Sequence, residues 1–376
     1  ATLTVQAAPP ASTAILPYPT GIVFAGSGRL YVTDATTNTV QKVLTDGEVS
    51  LVAGSKDNAG MLDGFEGSAL FNQPGGLAVT SAGVIYVSDT ANATIRRIDP
   101  DKHVTTFAGS SGSRGNTNGS GTQATFSAPL GLALDLSGNL YVADSTNHTI
   151  RKITPPGVVS TLAGSAGQPG YANGNGSAAR FNYPADVAVD AAGNVFVADR
   201  TNNVIRRITS AGAVTTLAGT PGVSGFDDGA GSGALFNQPG GLTLDGSGNL
   251  YVADTGNCTI RKITAAGGVS TLAGLPTVGG DQDGTGMGAQ FNQPRALALD
   301  GTGNLYVADT GNSAIRKVTP GGVVTTLVLL QDDEDAEDPP PASSGPDSQT
   351  GWRRRCARRL VFRRAGRPEP GAGHAA

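Results

Sequence analysis

Cysteine, histidine and long apolar runs are scarce in this chain, and each scarcity removes a class of function. The two cysteines, Cys258 and Cys356, sit in unlike segments. They form neither a disulfide framework nor a zinc pattern, and they leave the redox compartment open. The three histidines fall far apart: His103 in the turn before a strand, His148 on the opposite face, His374 in a C-terminal tail. A three-histidine zinc site cannot be assembled from them, so no metal and no cofactor is expected. There is no Gly-x-Ser-x-Gly elbow and no Cys–His pair in a catalytic context, so no catalytic residue is assigned. No run of 18 apolar residues exists, so no segment is long enough to span a membrane. An excess of basic charge is also missing. The formal net charge is −4, and the eight arginines and eight acids of residues 331–376 cancel, so the body carries all of it. Phosphate backbones need a basic footprint, which excludes nucleic acid as the main partner.

What is present is a repeat. The aromatic of a Tyr-Val-Ala-Asp core falls at Tyr31, Tyr86, Tyr141, Phe196, Tyr251 and Tyr306, always 55 residues apart. The proline of Phe-Asn-Gln-Pro keeps the same step at Pro19, Pro74, Pro129, Pro184, Pro239 and Pro294. Six units in register require a repeat architecture. They also override the two or three domains that the length alone would suggest. Many of the 55 glycines hold fixed places in the unit, which marks them as turn positions.

Each unit divides into four strand-like runs, and the fifth unit shows them clearly. They are Gly241–Leu244, Asn249–Asp254, Thr259–Thr264 and Val269–Ala273, separated by Gly-rich turns. The inner runs are apolar on both sides and therefore need cover on both sheet faces. No segment has a long helical period. Four short antiparallel strands repeated six times predict an all-β, six-bladed β-propeller. Connectivity then gathers the turns after strand two and the long interblade loops on one face, leaving tight Gly turns on the other. Binding is expected on the long-loop face, because function concentrates on loops carried by a rigid scaffold.

The stretch Tyr141-Val-Ala-Asp-Ser-Thr-Asn147-His148-Thr-Ile, after Gly138-Asn139, resembles the NHL repeat, as do its five sisters. The long loop ending in Asp-Gly-x-Gly and Phe-Asn-Gln-Pro is similar to the variant of teneurin-type and many bacterial secreted NHL propellers. The resemblance covers roughly residues 16–328, and WD and kelch signatures are absent. It implies a propeller and a protein- or ligand-binding role, with no single chemistry. The expectation is a monomeric binding or scaffolding module of a secreted, surface or periplasmic bacterial protein. Its partner would be a protein or a small polar ligand. The rival is a propeller lyase or lactonase acting at the channel mouth.

The ends depart from the unit. Residues 1–7, ATLTVQA, resemble the last strand of a bacterial immunoglobulin-like domain, or supply a strand that helps close the ring. Residues 8–14 are a linker, so 1–15 stand apart from a propeller at 16–330. The chain starts at Ala1 without Met, which reads as a processed or excised piece. Residues 331–376 run from acidic to Arg-rich and lack an apolar period, so the tail is expected to be disordered. It reads as an interaction or sorting tail, a solvated one, or the product of an altered reading frame.

Three sets of residues invite a functional reading. Asp34, Asp89, Asp144, Asp199, Asp254 and Asp309 recur once per unit. They are expected to brace their own turns or to pair with the arginine that follows, which Gln41 replaces in unit one. Asp63, Asn118, Asn173, Asp228 and Asp283 of the long loops are expected in turns rather than around calcium. The third set breaks the repeat: Asp186 in place of Gly, Arg295, Arg200, and the loop aromatics Tyr171 and Phe226. Broken symmetry is what can select one ligand, so these five are the candidate ligand-binding residues.

Overall fold

The computed structural model describes residues 16–329. The expected strand at 1–7, the linker after it and the tail at 331–376 lie outside the described residues. The rest is a six-bladed β-propeller of antiparallel sheets. Blade five runs Pro239–Leu244, Leu250–Asp254, Thr259–Ile263 and Gly268–Ala273 from the axis outward. Strand two, Leu250-Tyr-Val-Ala-Asp254, is buried along its whole length, as its two-sided apolar pattern requires. Among the described residues no helix is long and apolar enough to cross a membrane.

The blades differ from expectation in one respect. Five of the six sheets have a fifth strand, of only two residues, on the outer edge. In blade five it is Gly229–Ala230, paired with Val269 and Gly268. It comes from the long loop that precedes the blade. A Gly-rich pair has no alternation to read, so the strand has no sequence signature. It covers part of an outer edge that would otherwise be open. Blade one shows four strands.

Packing between blades closes the ring. Six apolar clusters lie one at each seam. An open row of six blades has five seams, so the sixth decides closure. That sixth cluster joins Leu16, Ile22, Leu30 and Val32 of blade one to Ala298, Tyr306, Ala308 and Ile315 of blade six. Phe24 stacks on Tyr306 with ring centroids 5.9 Å apart. The aromatic of the Phe-Asn-Gln-Pro motif anchors the other seams as Phe71, Phe126, Phe181, Phe236 and Phe291, all fully buried. Leu16 takes that place in blade one.

The innermost strands stand around a central cavity of about 650 Å³ lined by all six blades. Gly164 illustrates how the chain leaves a blade toward the long-loop face. It has φ +94°, and a Cβ there would lie 2.5 Å from the His148 carbonyl. Only glycine fits such a position without strain.

Candidate functional site

The repeated aspartates end strand two of every blade, and all six are fully buried. In blade two, Asp89 Oδ1 accepts from the Asn72 backbone N–H at 2.7 Å. Its Oδ2 accepts from Arg96 Nη1 at 2.9 Å and from Asn92 Nδ2 at 2.8 Å. The same guanidinium donates to the carbonyls of Leu70 and Leu62 and to Asp63 Oδ1, and it lies over the Phe71 ring. Arg151–Asp144, Arg206–Asp199, Arg261–Asp254 and Arg316–Asp309 repeat the pair at 2.9–3.2 Å. Burial pushes the Asp89 carboxyl up, and the Asn92, Asn72 and Arg96 donors oppose it. None of the six aspartates lines the central cavity. Each is saturated by its own blade.

The long-loop residues complete this knot. Arg96 Nη2 reaches Asp63 Oδ1 at 2.7 Å, and Thr106 Oγ1 donates to the same oxygen at 3.1 Å. In blades three and four the acceptor is the amide oxygen of Asn118 or Asn173, at 2.9 and 2.8 Å. An amide serves as well as a carboxylate, so the position needs a hydrogen-bond acceptor and not a charge. Blade one has Asp34 without the arginine. There the carboxylate accepts the N–H groups of Tyr18, Thr36 and Thr37 instead. His148 is a further scaffold residue. Its Nδ1 accepts the Tyr183 N–H of the next blade at 3.1 Å, as Asn38 and Asn203 accept those of Gln73 and Gln238. Burial lowers its pKa.

The departures from the repeat gather differently from what their positions imply. Asp186, Arg200 and Arg295 all line the central cavity. Asp186 does not pair with either arginine. Its Oδ1 accepts the Val187 N–H at 2.9 Å, and its Oδ2 accepts the Leu242 N–H of blade five at 2.8 Å. That N–H sits at the bulge between Pro239 and Leu242, where the strand ladder shifts register. The carboxylate rests on Gly131 of blade three, where a Cβ would lie 1.8 Å from Oδ1. Burial pushes its pKa up to about 7 in spite of the two donors. Asp186 thus spans three blades as a cap.

Arg200 and Arg295 remain at the mouth on the long-loop face. Arg200 Nη2 donates to Gln238 Oε1 at 3.3 Å. The Arg295 guanidinium lies over the Tyr18 ring at 5.0 Å, and its buried Nε has no partner. Among the described residues neither arginine forms an ion pair. Burial, and then the charge of Arg295, lower the pKa of Arg200. Tyr18 and Gln238 are mouth residues that sequence reasoning missed. Gln238 conforms to the Phe-Asn-Gln-Pro motif and Tyr18 replaces its Gln, but nothing in a single repeat shows that they face a neighbour's arginine.

Tyr171 and Phe226 lie elsewhere. Tyr171 covers the Arg206 guanidinium at 4.6 Å, and its hydroxyl bonds Thr216 Oγ1 at 2.6 Å. Phe226 covers Arg261 at 4.7 Å, opposite Phe236. Both rings roof the structural arginines of their blades, and neither lines the cavity. Sequence position fixed their loop but not their distance from the axis.

Comparison with known proteins places this geometry. A model of the teneurin NHL domain matches residues 4–99. A model of the NHL repeat matches residues 126–153, 181–207, 236–263 and 291–318. The chain carries NHL repeats on a six-bladed propeller. Each NHL match runs from the buried phenylalanine to within one residue of the end of strand three, so it contains the Asp, Asn and Arg of the knot. The NHL propeller is similar to Protein SUPPRESSOR OF QUENCHING 1, chloroplastic, of Arabidopsis thaliana, at 29% identity over 78% of this chain and 29% of that protein. It resembles Teneurin-3 of Mus musculus at 31% identity, over 63% of this chain and 10% of that protein. It is also similar to NHL repeat-containing protein 2 of Homo sapiens, at 29% identity over 77% of this chain and 44% of that protein. The chain thus spans less than half the length of these relatives. Among solved structures, a structural-genomics protein of Bacteroides thetaiotaomicron superposes with TM-score 0.63 at 22% identity, over 84% and 71% of the two chains. Virginiamycin B lyase of Staphylococcus aureus superposes with TM-score 0.53 at 16% identity, over 85% and 87%. At these identities the likeness is one of fold.

Proposed function

We propose that this NHL propeller is a binding module that holds a protein segment or a small polar ligand at the long-loop mouth of its central channel. The observation that carries this reading is the pair Arg200 and Arg295, which line one cavity and have no acidic partner among the described residues. The repeated arginines spend their terminal nitrogens on acceptors of their own blades, so they present no free charge to a ligand. The two arginines are the exception, and each stands where the other blades have a small or neutral residue. NHL propellers generally mediate protein interactions, which supports a binding role in the same general sense.

An enzymatic reading of the same mouth needs a group to move a proton. Asp186 is the titratable acid there, but both its oxygens already accept backbone N–H groups. Binding without turnover is therefore the better reading. Placement in a secreted or surface bacterial protein belongs to the proposal too, although the curated relatives named above come from a plant and from mammals.

A panel of small sugars, amines, carboxylates and phosphates, read by thermal shift, tests the reading. Hits should disappear in Arg200→Gln/Arg295→Gln and persist in Leu136→Ser, which alters an exposed residue of a tight turn on the opposite face. Hits lost in Leu136→Ser but kept in the arginine variant would move the site to the other face.

A further inference from the structure

We propose that the channel mouth is an oxyanion site, in which Arg200 and Arg295 together take the carboxylate or phosphate group of a small molecule. This rests on the reading of the mouth as the binding surface and names the chemistry it selects.

Three observations carry it independently. The first is what the arginines lack. A guanidinium offers five N–H donors in a planar fork that matches an oxyanion. Arg200 uses one of them, on Gln238, at the long distance of 3.3 Å. Arg295 is held by the Tyr18 ring face, and among the described residues none of its guanidinium nitrogens has an acceptor, whereas Arg96, Arg151, Arg206, Arg261 and Arg316 leave only Nε unpartnered. Two like charges facing one half-buried cavity repel each other, and an anion placed between them relieves that repulsion. It also supplies the missing acceptors through charge-assisted hydrogen bonds.

The second observation is what Arg200 displaces. Thr90, Thr255 and Thr310 stand at the equivalent position in blades two, five and six. Each donates its hydroxyl to the carbonyl of the next blade's proline, at 2.8, 2.7 and 2.6 Å. Blade four gives up this clip for an arginine whose hydrogen bond to the next blade is longer. The exchange removes a good structural contact and adds a charge at the mouth, which stability alone does not explain.

The third is the shape and lining of the cavity. Its volume of about 650 Å³ lies within the roughly 300–1,000 Å³ of small-molecule sites. Thr36 and Thr243 belong to its wall beside aliphatic residues such as Ile22, Leu132, Leu242 and Leu297, while the hydroxyls of Thr20, Thr90 and Thr255 are donated to proline carbonyls. That lining fits a compact molecule whose anionic group meets the arginines and whose carbon skeleton meets the aliphatic wall.

The test is isothermal titration of the full chain at neutral pH and low salt, with malonate, inorganic phosphate, glucose and ethanolamine as separate probes. Malonate or phosphate should bind saturably at one site per chain, more weakly as salt rises. Arg200→Gln and Arg295→Gln should each weaken that binding about tenfold or more, and Leu136→Ser should leave it unchanged. The stronger of the two probes tells whether the natural group is a carboxylate or a phosphate. The variants remove no buried ion pair, so their melting temperatures should stay close to that of the parent chain. Should either unfold, Arg200→Lys and Arg295→Lys take its place: they keep the charge but not the fork, and should bind malonate more weakly than the parent. Oxyanion binding undiminished in the double glutamine variant means an adventitious ion only, and overturns the proposal. Glucose or ethanolamine binding that the double variant loses, with no oxyanion binding, overturns the oxyanion site while leaving the mouth as the binding surface. No saturable binding by malonate or phosphate overturns it as well.

Discussion

The hydroxyl of Thr310 donates to the carbonyl of Pro19 at 2.6 Å, across 291 residues of sequence. Thr90 and Thr255 make the same contact with Pro129 and Pro294, each 39 residues ahead. The seam between the last and first blades is thus built like two of the internal seams. Ser313 reinforces it by donating its Oγ–H to the Pro17 carbonyl at 2.7 Å. Among the described residues the ring closes by side-to-side packing, with each blade's four principal strands contiguous in sequence.

If the seams are equivalent, Thr310→Val and Thr255→Val should cost the same, about 1 kcal/mol each for a lost buried hydrogen bond. Denaturant unfolding of the two variants measures this. A silent Thr310→Val beside a destabilising Thr255→Val would mean that the seam is loose.

The buried ion pairs should be far more sensitive than exposed ones. Arg206→Met removes the cation paired with the fully buried Asp199, leaving it only the Asn182 and Asn202 donors, and should cost about 3–5 kcal/mol. Arg97→Met breaks the surface pair with Asp99 and should cost less than about 1 kcal/mol. Comparable losses in the two variants would contradict the scaffold role given to the repeated arginines.

The long loop before blade six should depend on an acceptor and not on a charge at residue 283. Arg316 Nη2 donates to Asp283 Oδ1 at 2.7 Å, and the Thr326 N–H and hydroxyl donate to the same carboxylate. Asp283→Asn copies blades three and four and should change stability by less than about 0.5 kcal/mol. Asp283→Ala leaves a buried donor without its acceptor. It should cost about 1–3 kcal/mol and open residues 275–285 to limited proteolysis. An Asn variant as damaging as the Ala variant would restore a role for the charge.

Much of this fold is legible in the sequence, because 55-residue spacing forces six equivalent environments. The repeated Asp and Arg could be assigned to the scaffold for the same reason. The arginine's second partner was also legible: blade one lacks the arginine, with Gln41 at its place, and residue 8, equivalent to Asp63, is Ala. Arginine and acceptor are absent together from the first unit. Other features were hidden for physical reasons. The two-residue outer strands have no periodicity. The reach of Asp186 to Leu242 depends on how neighbouring blades pack. Tyr171 and Phe226 share a face with the mouth, but their radial position follows from the arginines they cover. Sequence alone left Asp186 and Arg295 as opposed charges on one rim, whereas the carboxylate is engaged by backbone N–H groups.

The pH dependence of stability should carry the mark of Asp186. Burial raises its pKa from 3.8 to about 7 in the folded chain, so between those values the native state binds more protons than the unfolded one. Stability from this group is therefore greatest at low pH and falls as pH rises toward 7. Asp186→Asn removes the effect. Its stability relative to the parent should improve between pH 5 and pH 8, by on the order of 2 kcal/mol. A constant difference across that range would show that the carboxyl titrates normally.

The central claim is that broken symmetry at the long-loop mouth forms the site, and a crystal structure examines it most directly. Crystals of the full chain, grown without phosphate or carboxylate buffers and soaked in malonate, should show the dianion bridging the guanidinium groups of Arg200 and Arg295 at the cavity mouth. Malonate seated only at the Asp–Arg knots or on the tight-turn face around Leu136, with the mouth holding nothing but water, would contradict the account.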